Sequence, residues 1–327
     1  MTTAAETGAG ATEEVGTPAT PTRRGGLLRW VKIGFGVLVV VFGALFVITH
    51  WGEVSRSLRE MGWLPVLAAV PLGAAGTVAG MLTWRAVLAD LGSPLPLADA
   101  GRVFFLSQLG KYVPGSLWPV LAQMELGHQL RVPRKTSLAA NALTMVMSVA
   151  TGLLLAALLL PFGGADTLRH YWWVLLAVPV LAAFLHPAVA TGALNRLLTL
   201  ARRQPLGERT TVRGTLRAAG WQTTGWFILG IHAYVLVLGL HVPAGRAFPL
   251  AVGGFTLAYC LGILFILAPA GAGVRDAALA VALASVLDRP QALAVVLVSR
   301  FAMVAVDFLL AGGWLLAVRR PTLRTES

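Results

Sequence analysis

Two short stretches of this chain set ionisable side chains beside helix breakers inside apolar sequence. In "FFLSQLGKYVPGSLW", residues 104–118, Lys111 and Tyr112 come just before Pro114 and Gly115, and Trp118 follows. In "LAPAGAGVRDAAL", residues 267–279, Pro269, Gly271 and Gly273 come just before Arg275 and Asp276. A further pair, Arg300 and Asp307, lies seven residues apart in an apolar run and so on one helix face. These residue types suit binding better than bond-making. Lysine, arginine and the free N–H groups of a new helix start all favour an anionic group such as phosphate. The sequence has no DxD pair, no HExxH, no P-loop and no GxSxG, and it requires no metal or other cofactor. The expectation is a protein that is not an enzyme.

A cation at a helix break has a physical rationale in a membrane. Non-helical backbone survives at membrane depth only inside protein or against a water-filled cavity. Lys111 therefore either points into such a cavity or snorkels to the interface, with Tyr112 and Trp118 as anchors. Asp276 either shares an anion site with Arg275 or caps the helix and pairs with Arg275 locally. Arg300 either contacts substrate or pairs with Asp276. Asp307 either couples to protons or neutralises Arg300. Asn141, Gln222 and His232 also fall in apolar runs, where an interhelical hydrogen bond is the plainer role.

The elements that must position these residues are set by composition. Of 327 residues, 57% are hydrophobic and 12% charged, where a soluble domain carries about 25% charged. Six runs reach the ~20 residues of a bilayer crossing, at roughly 31–50, 63–84, 137–160, 171–189, 218–240 and 291–318. Two more, at roughly 97–130 and 248–287, are interrupted at Pro114-Gly115 and at residues 268–276. Residues 1–26 are rich in Thr, Ala, Gly, Glu and Pro and read as a disordered cytoplasmic tail, and 319–327 as a second one. A lone cysteine, Cys260, in an apolar run reads as core.

The net charge of +12 comes mainly from loops beside spans, which sets nucleic acid aside. A cytoplasmic N-terminus puts Arg85, Arg102, Arg131, Arg134 and the arginines of "NRLLTLARRQPLGERTTVRGTLR" inside. It leaves Arg56, Arg59, Arg169, Arg246 and Arg289 outside. Both termini and the 190–217 loop are then cytoplasmic, provided each interrupted segment enters and leaves on one side. The expected fold is an all-α integral membrane protein with six full spans and two re-entrant helical hairpins. Its halves, about 27–165 and 166–318, form an inverted repeat. Eight ordinary spans with two kinks is the alternative, and residues 248–268 are long enough simply to cross.

At this point a family resemblance is visible. "FLSQLGKYVPGSLW" resembles the KYxPG-type segment of the membrane domain of lysylphosphatidylglycerol synthases, and "LAPAGAGVRDAAL" resembles that family's P-G-G-x-G-x-x-E signature. The likeness covers about 30–318, with Ala270 in place of a glycine and Asp276 in place of a glutamate. The family includes stand-alone flippase-like proteins, some associated with polyprenyl-linked sugars. The resemblance implies lipid movement between leaflets through a cavity between two halves. It implies no lysyl transfer, because no aminoacyl-transfer domain is recognisable in this sequence. By position it carries Lys111, Tyr112, Pro114, Gly115, Pro269, Gly271, Gly273 and Arg275 into the site.

The expectation is translocation of an anionic lipid, phospholipid or polyprenyl-phosphate-linked, across the cytoplasmic membrane. The alternatives are a membrane subunit that scaffolds a lipid or glycan synthesis complex, and a small-solute transporter if Asp307 titrates. The partners implied are membrane lipids with anionic headgroups, a second copy of the chain, or lipid- and glycan-synthesis enzymes.

Overall fold

The computed structural model describes residues 48–49, 51–112, 118–164, 175–183, 186–200, 210–265 and 273–317. Among them the chain is helical, with no strand. The expected span 31–50 and both tails lie almost wholly outside the described residues.

Four expected spans are seen as long helices. They are α2 (Trp63–Asp90), α5 (Arg134–Leu159), α8 (Val212–Leu238) and α11 (Arg289–Ala317). A short helix, α1 (Trp51–Met61), precedes them, where only a loop was expected. Its buried Val54, Ser57 and Met61 recur at helical spacing, with Glu53, Arg56, Arg59 and Glu60 outward. Four segments are long and apolar enough to cross a membrane: Trp63–Asp90, Arg134–Gly163, Ala244–Leu264 and Arg289–Ala317. Helix α8 matches them in length, but Gln222, Thr223, Thr224 and His232 make it more polar.

The interrupted segments are each a pair of helices. The first comprises α3 (Leu97–Gln108), a tight turn of 3₁₀ helix at Leu109–Tyr112, and α4 (Trp118–Gln129). Twelve residues rise only about 18 Å, too little for a ~30 Å hydrocarbon core. The second comprises α9 (Ala244–Leu264) and α10 (Val274–Leu283). Its arms are unequal: α9 rises about 31 Å and has the length of a crossing, whereas α10 rises about 15 Å.

The expected span 171–189 requires correction. Its described part is two helices, α6 (Ala177–Ala183) and α7 (Pro187–Leu200), with a bend at His186. Proline at 187 has no N–H to donate and biases His186 away from helical geometry, so a new helix starts there. That helix runs to Leu200, into residues expected to be loop.

Helices α2 and α8 form the centre. Gly76 and Gly225 meet across the pair: a Cβ on Gly225 would lie 3.3 Å from the Gly76 carbonyl oxygen. Small residues let the two backbones approach, the main source of helix attraction where lipid removes the hydrophobic drive. The other contacts come in matched sets. Helix α2 packs on α11 as α8 packs on α5, and α3 packs on α11 as α9 packs on α5. Helix α4 packs on α5 as α10 packs on α11.

The bundle has two distinct ends. At one, Asp90 accepts hydrogen bonds from the Thr211 amide at 2.8 Å and hydroxyl at 2.6 Å, joining the close of α2 to the start of α8. At the same end of α2's partner α11, the Trp314 indole donates to the Ala98 carbonyl at the start of α3, at 2.7 Å. At the other end Met61 packs against Gly239. Helices α2 and α11 therefore run one way, and α8 the other.

Candidate functional site

The first break delivers its polar residues onto α11. After α3 the chain tightens into a 3₁₀ turn that brings the Lys111 ammonium and the Tyr112 hydroxyl to Asp307, with the Tyr112 residue itself 40% exposed. Lys111 Nζ lies 2.6 Å from Asp307 Oδ2, and the Tyr112 hydroxyl donates to the same oxygen at 2.6 Å. The Tyr112 ring stacks on Phe308, with centroids 5.7 Å apart. Asp307 is 3% exposed, so its charge is held by these two donors rather than by water. The Lys111 ammonium is thus committed to Asp307.

The second break uses the same helix one level away. Gly273 has φ +83°, a left-handed conformation that spares it the Cβ clash other residues would meet. Its N–H donates to Asp276 Oδ2 at 3.0 Å and so starts α10. Arg300 Nη1 donates to both Asp276 oxygens, at 2.8 and 2.7 Å. The Arg275 guanidinium lies over the Tyr259 ring at 4.2 Å and the Phe255 ring at 4.9 Å. Stacking on ring faces satisfies a cation without a carboxylate.

Two expectations need correcting. Arg300 and Asp307 do share a helix but do not pair with each other; each binds a residue of a different break. Asp276 caps its helix, but its ionic partner is Arg300 and not the adjacent Arg275. Seven residues of α-helix are about 10 Å, so the two breaks meet α11 at neighbouring depths near its middle. Trp118 opens α4 and is about half exposed. Pro114, Gly115, Pro269 and Gly271 lie outside the described residues.

A cavity of about 520 Å³ opens beside the first cluster. It is walled by α2, α3, α4, α5 and α8, and Lys111, Tyr259, Met303 and Asp307 also line it. Tyr259 thus faces the cavity and also carries Arg275, which links the two breaks. Nothing in the sequence singled it out, since an aromatic in an apolar helix is usually core. Gln108 and Gln123 were also passed over, although a glutamine in an apolar stretch was a readable signal. Asn141 and Gln222 line the cavity; Asn141 Nδ2 donates only within its own helix, to Ser137 O at 3.0 Å. His232 does bridge helices, through the Ala69 carbonyl at 2.7 Å and the Ser299 hydroxyl at 3.0 Å. Cys260 is buried. Among the described residues no group of His, Cys, Asp and Glu could hold a metal ion.

Residues 30–311 match the model of a family described as Lysylphosphatidylglycerol synthase TM region, a stretch that contains both breaks and the cavity. No curated protein matches the chain.

Proposed function

The chain belongs to the lysylphosphatidylglycerol synthase transmembrane-region family and has a membrane lipid-related role; from that premise we propose that it translocates a phosphate-bearing lipid between leaflets, without catalysing a covalent step. The lipid is a phospholipid or a polyprenyl-phosphate-linked one. The observation that carries this reading is the convergence of both breaks on the middle of α11, beside a 520 Å³ cavity. A polar headgroup then finds polar partners at mid-depth, and its tails stay in the bilayer.

In this reading α3–α4 and α9–α10 are the re-entrant segments, and α2, α5, α8 and α11 cross the cytoplasmic membrane together with the runs at 31–50 and 171–189, of which the first lies almost wholly and the second partly outside the described residues. The matched helix contacts support two inverted halves. The opposite directions of α2 and α8 support the alternation that the basic residues suggest, with N- and C-termini in the cytoplasm. Arg275 is the cation offered to phosphate, since rings rather than a carboxylate hold it, whereas Lys111 is already paired with Asp307.

A second reading has one observation in its favour. Lys111 and Arg300 each already have a carboxylate, and charges paired this way suit a rigid scaffold for synthesis enzymes. Proteoliposomes holding a short-chain fluorescent phospholipid separate the two. The transporter should let an added reductant reach inner-leaflet label. Arg275→Ala should slow this roughly ten- to hundredfold, the equivalent of one charge-assisted contact worth about 1.5–3 kcal/mol. Label that stays protected with the unaltered protein favours the scaffold.

A further inference from the structure

We infer that the 520 Å³ cavity is a subsite for an uncharged, hydroxyl-rich headgroup moiety, a sugar or polyol carried on a lipid. The inference rests on the lipid-related reading and concerns what part of the headgroup this space receives. The argument begins with charge. Among the described residues that line the cavity, the only ionised side chains are Lys111 and Asp307, and they lie 2.6 Å apart. A bare phosphate or a cationic headgroup entering here meets no net counter-charge.

The neutral polar groups are the opposite case. Trp84, Gln108, Gln123, Asn141, Thr144 and Gln222 converge on this space from five helices. Trp84 is 1% exposed and Gln123 and Gln222 are 3% and 6% exposed. Among the described residues the Trp84 indole N–H and the Thr144 hydroxyl have no hydrogen-bond partner. The amides of Gln108, Gln123 and Gln222 make no hydrogen bond to a described residue, and the Asn141 side chain spends only its Nδ2, on Ser137. Buried polar groups left unpaired are costly, and native proteins keep few of them. Carboxamides offer both a donor and an acceptor, which is what a run of hydroxyls, each both donor and acceptor, can satisfy. The remaining wall is largely apolar, with Thr77, Ser107 and Ser148 among it, and the Tyr259 ring is available to the C–H face of a sugar. The volume falls in the ~300–1,000 Å³ range of small-molecule sites.

The test is lipid retention by the purified full-length chain, read by native mass spectrometry. It needs a sugar-free detergent such as lauryl dimethylamine oxide, because glucoside and maltoside detergents would compete. The probes are glucosyl diacylglycerol, phosphatidic acid and plain diacylglycerol with matched acyl chains, plus free methyl glucoside. Glucosyl diacylglycerol should be retained at least tenfold over diacylglycerol. Trp84→Phe keeps the ring and removes only the N–H, and Gln222→Leu removes one amide. Each should lower glucosyl-lipid retention roughly three- to tenfold, the effect of one hydrogen bond, with phosphatidic acid unchanged. Melting temperature is measured in parallel, and the two variants lie on different helices so that one misfolded variant does not end the test. Methyl glucoside that displaces the glycolipid supports the site. Equal retention of glucosyl and plain diacylglycerol, or equal losses for both headgroups in folded variants, overturns it. Retention is read without transport, so a protein that binds the glycolipid and fails to move lipid refutes translocation alone.

Discussion

Asp307→Asn is the most informative single change. The side chain is 2% exposed and holds Lys111 and Tyr112 on one oxygen, each at 2.6 Å. At that distance and an effective dielectric of ~20, the gross attraction between the two charges is on the order of 6 kcal/mol. Desolvation consumes part of it. Removing one partner of a buried pair nevertheless costs about 3–5 kcal/mol, because the other charge is stranded. The Lys111 side chain keeps 22% of its exposure, so stranding it should cost near the low end, about 3 kcal/mol. Asparagine still offers an oxygen to Tyr112, which confines the loss to the ion pair. Lys111→Met should then recover most of it, since a thioether of similar length fills the same space without charge. Thermal or chemical unfolding in detergent gives the four corners of a double-mutant cycle, with an expected coupling of about 2 kcal/mol or more. Additivity of the two substitutions to within about 0.5 kcal/mol would show that the contact does not hold the first break to α11, and would refute the reasoning.

Arg300→Ala should destabilise by on the order of 1–2 kcal/mol, modestly because both side chains of its pair are about a third exposed. Asp276→Asn should rescue it and Asp307→Asn should not; rescue by Asp307→Asn would reverse the pairing. In a Cys260→Ala background, cysteines at Gly62 and His241 should react with an impermeant thiol reagent from one face of the membrane. Cysteines at Gly92 and Arg131 should react only from the other, and labelling of all four from one side would break the helix directions described. Gly230→Ala would set a Cβ 2.8 Å from the Val252 Cα, so the α8–α9 contact must open. A loss of about 1–3 kcal/mol is expected by the same unfolding assay, and unchanged stability would contradict that packing.

Long helices were legible because their cause is local. Crossing a bilayer demands about 20 apolar residues in a row, and α2, α5, α8 and α11 follow runs that satisfy it. The two breaks were legible for the same kind of reason, as proline and glycine act on their own backbone. Pro187 is a case where that signal was available and underweighted: it divides α6 from α7 inside a run taken as one span. Helix α1 was missed because its buried face is only three residues deep and one of them is Ser57.

Partners were decided elsewhere. The sequence by itself determined that Lys111, Arg275, Asp276, Arg300 and Asp307 would sit in apolar surroundings and need compensation. It left open which charge answers which, because Asp307 and Lys111 are 196 residues apart and Asp276 and Arg300 are 24 apart. Only the tertiary structure, by laying both breaks against one face of α11, assigned Asp307 to Lys111 and Tyr112, and Asp276 to Arg300. The cavity belongs to the same class of fact. Glutamines on α3, α4 and α8 carry no mark of a shared purpose in the chain, and an enclosed volume exists only where helices that are distant in sequence are held apart by what packs around them.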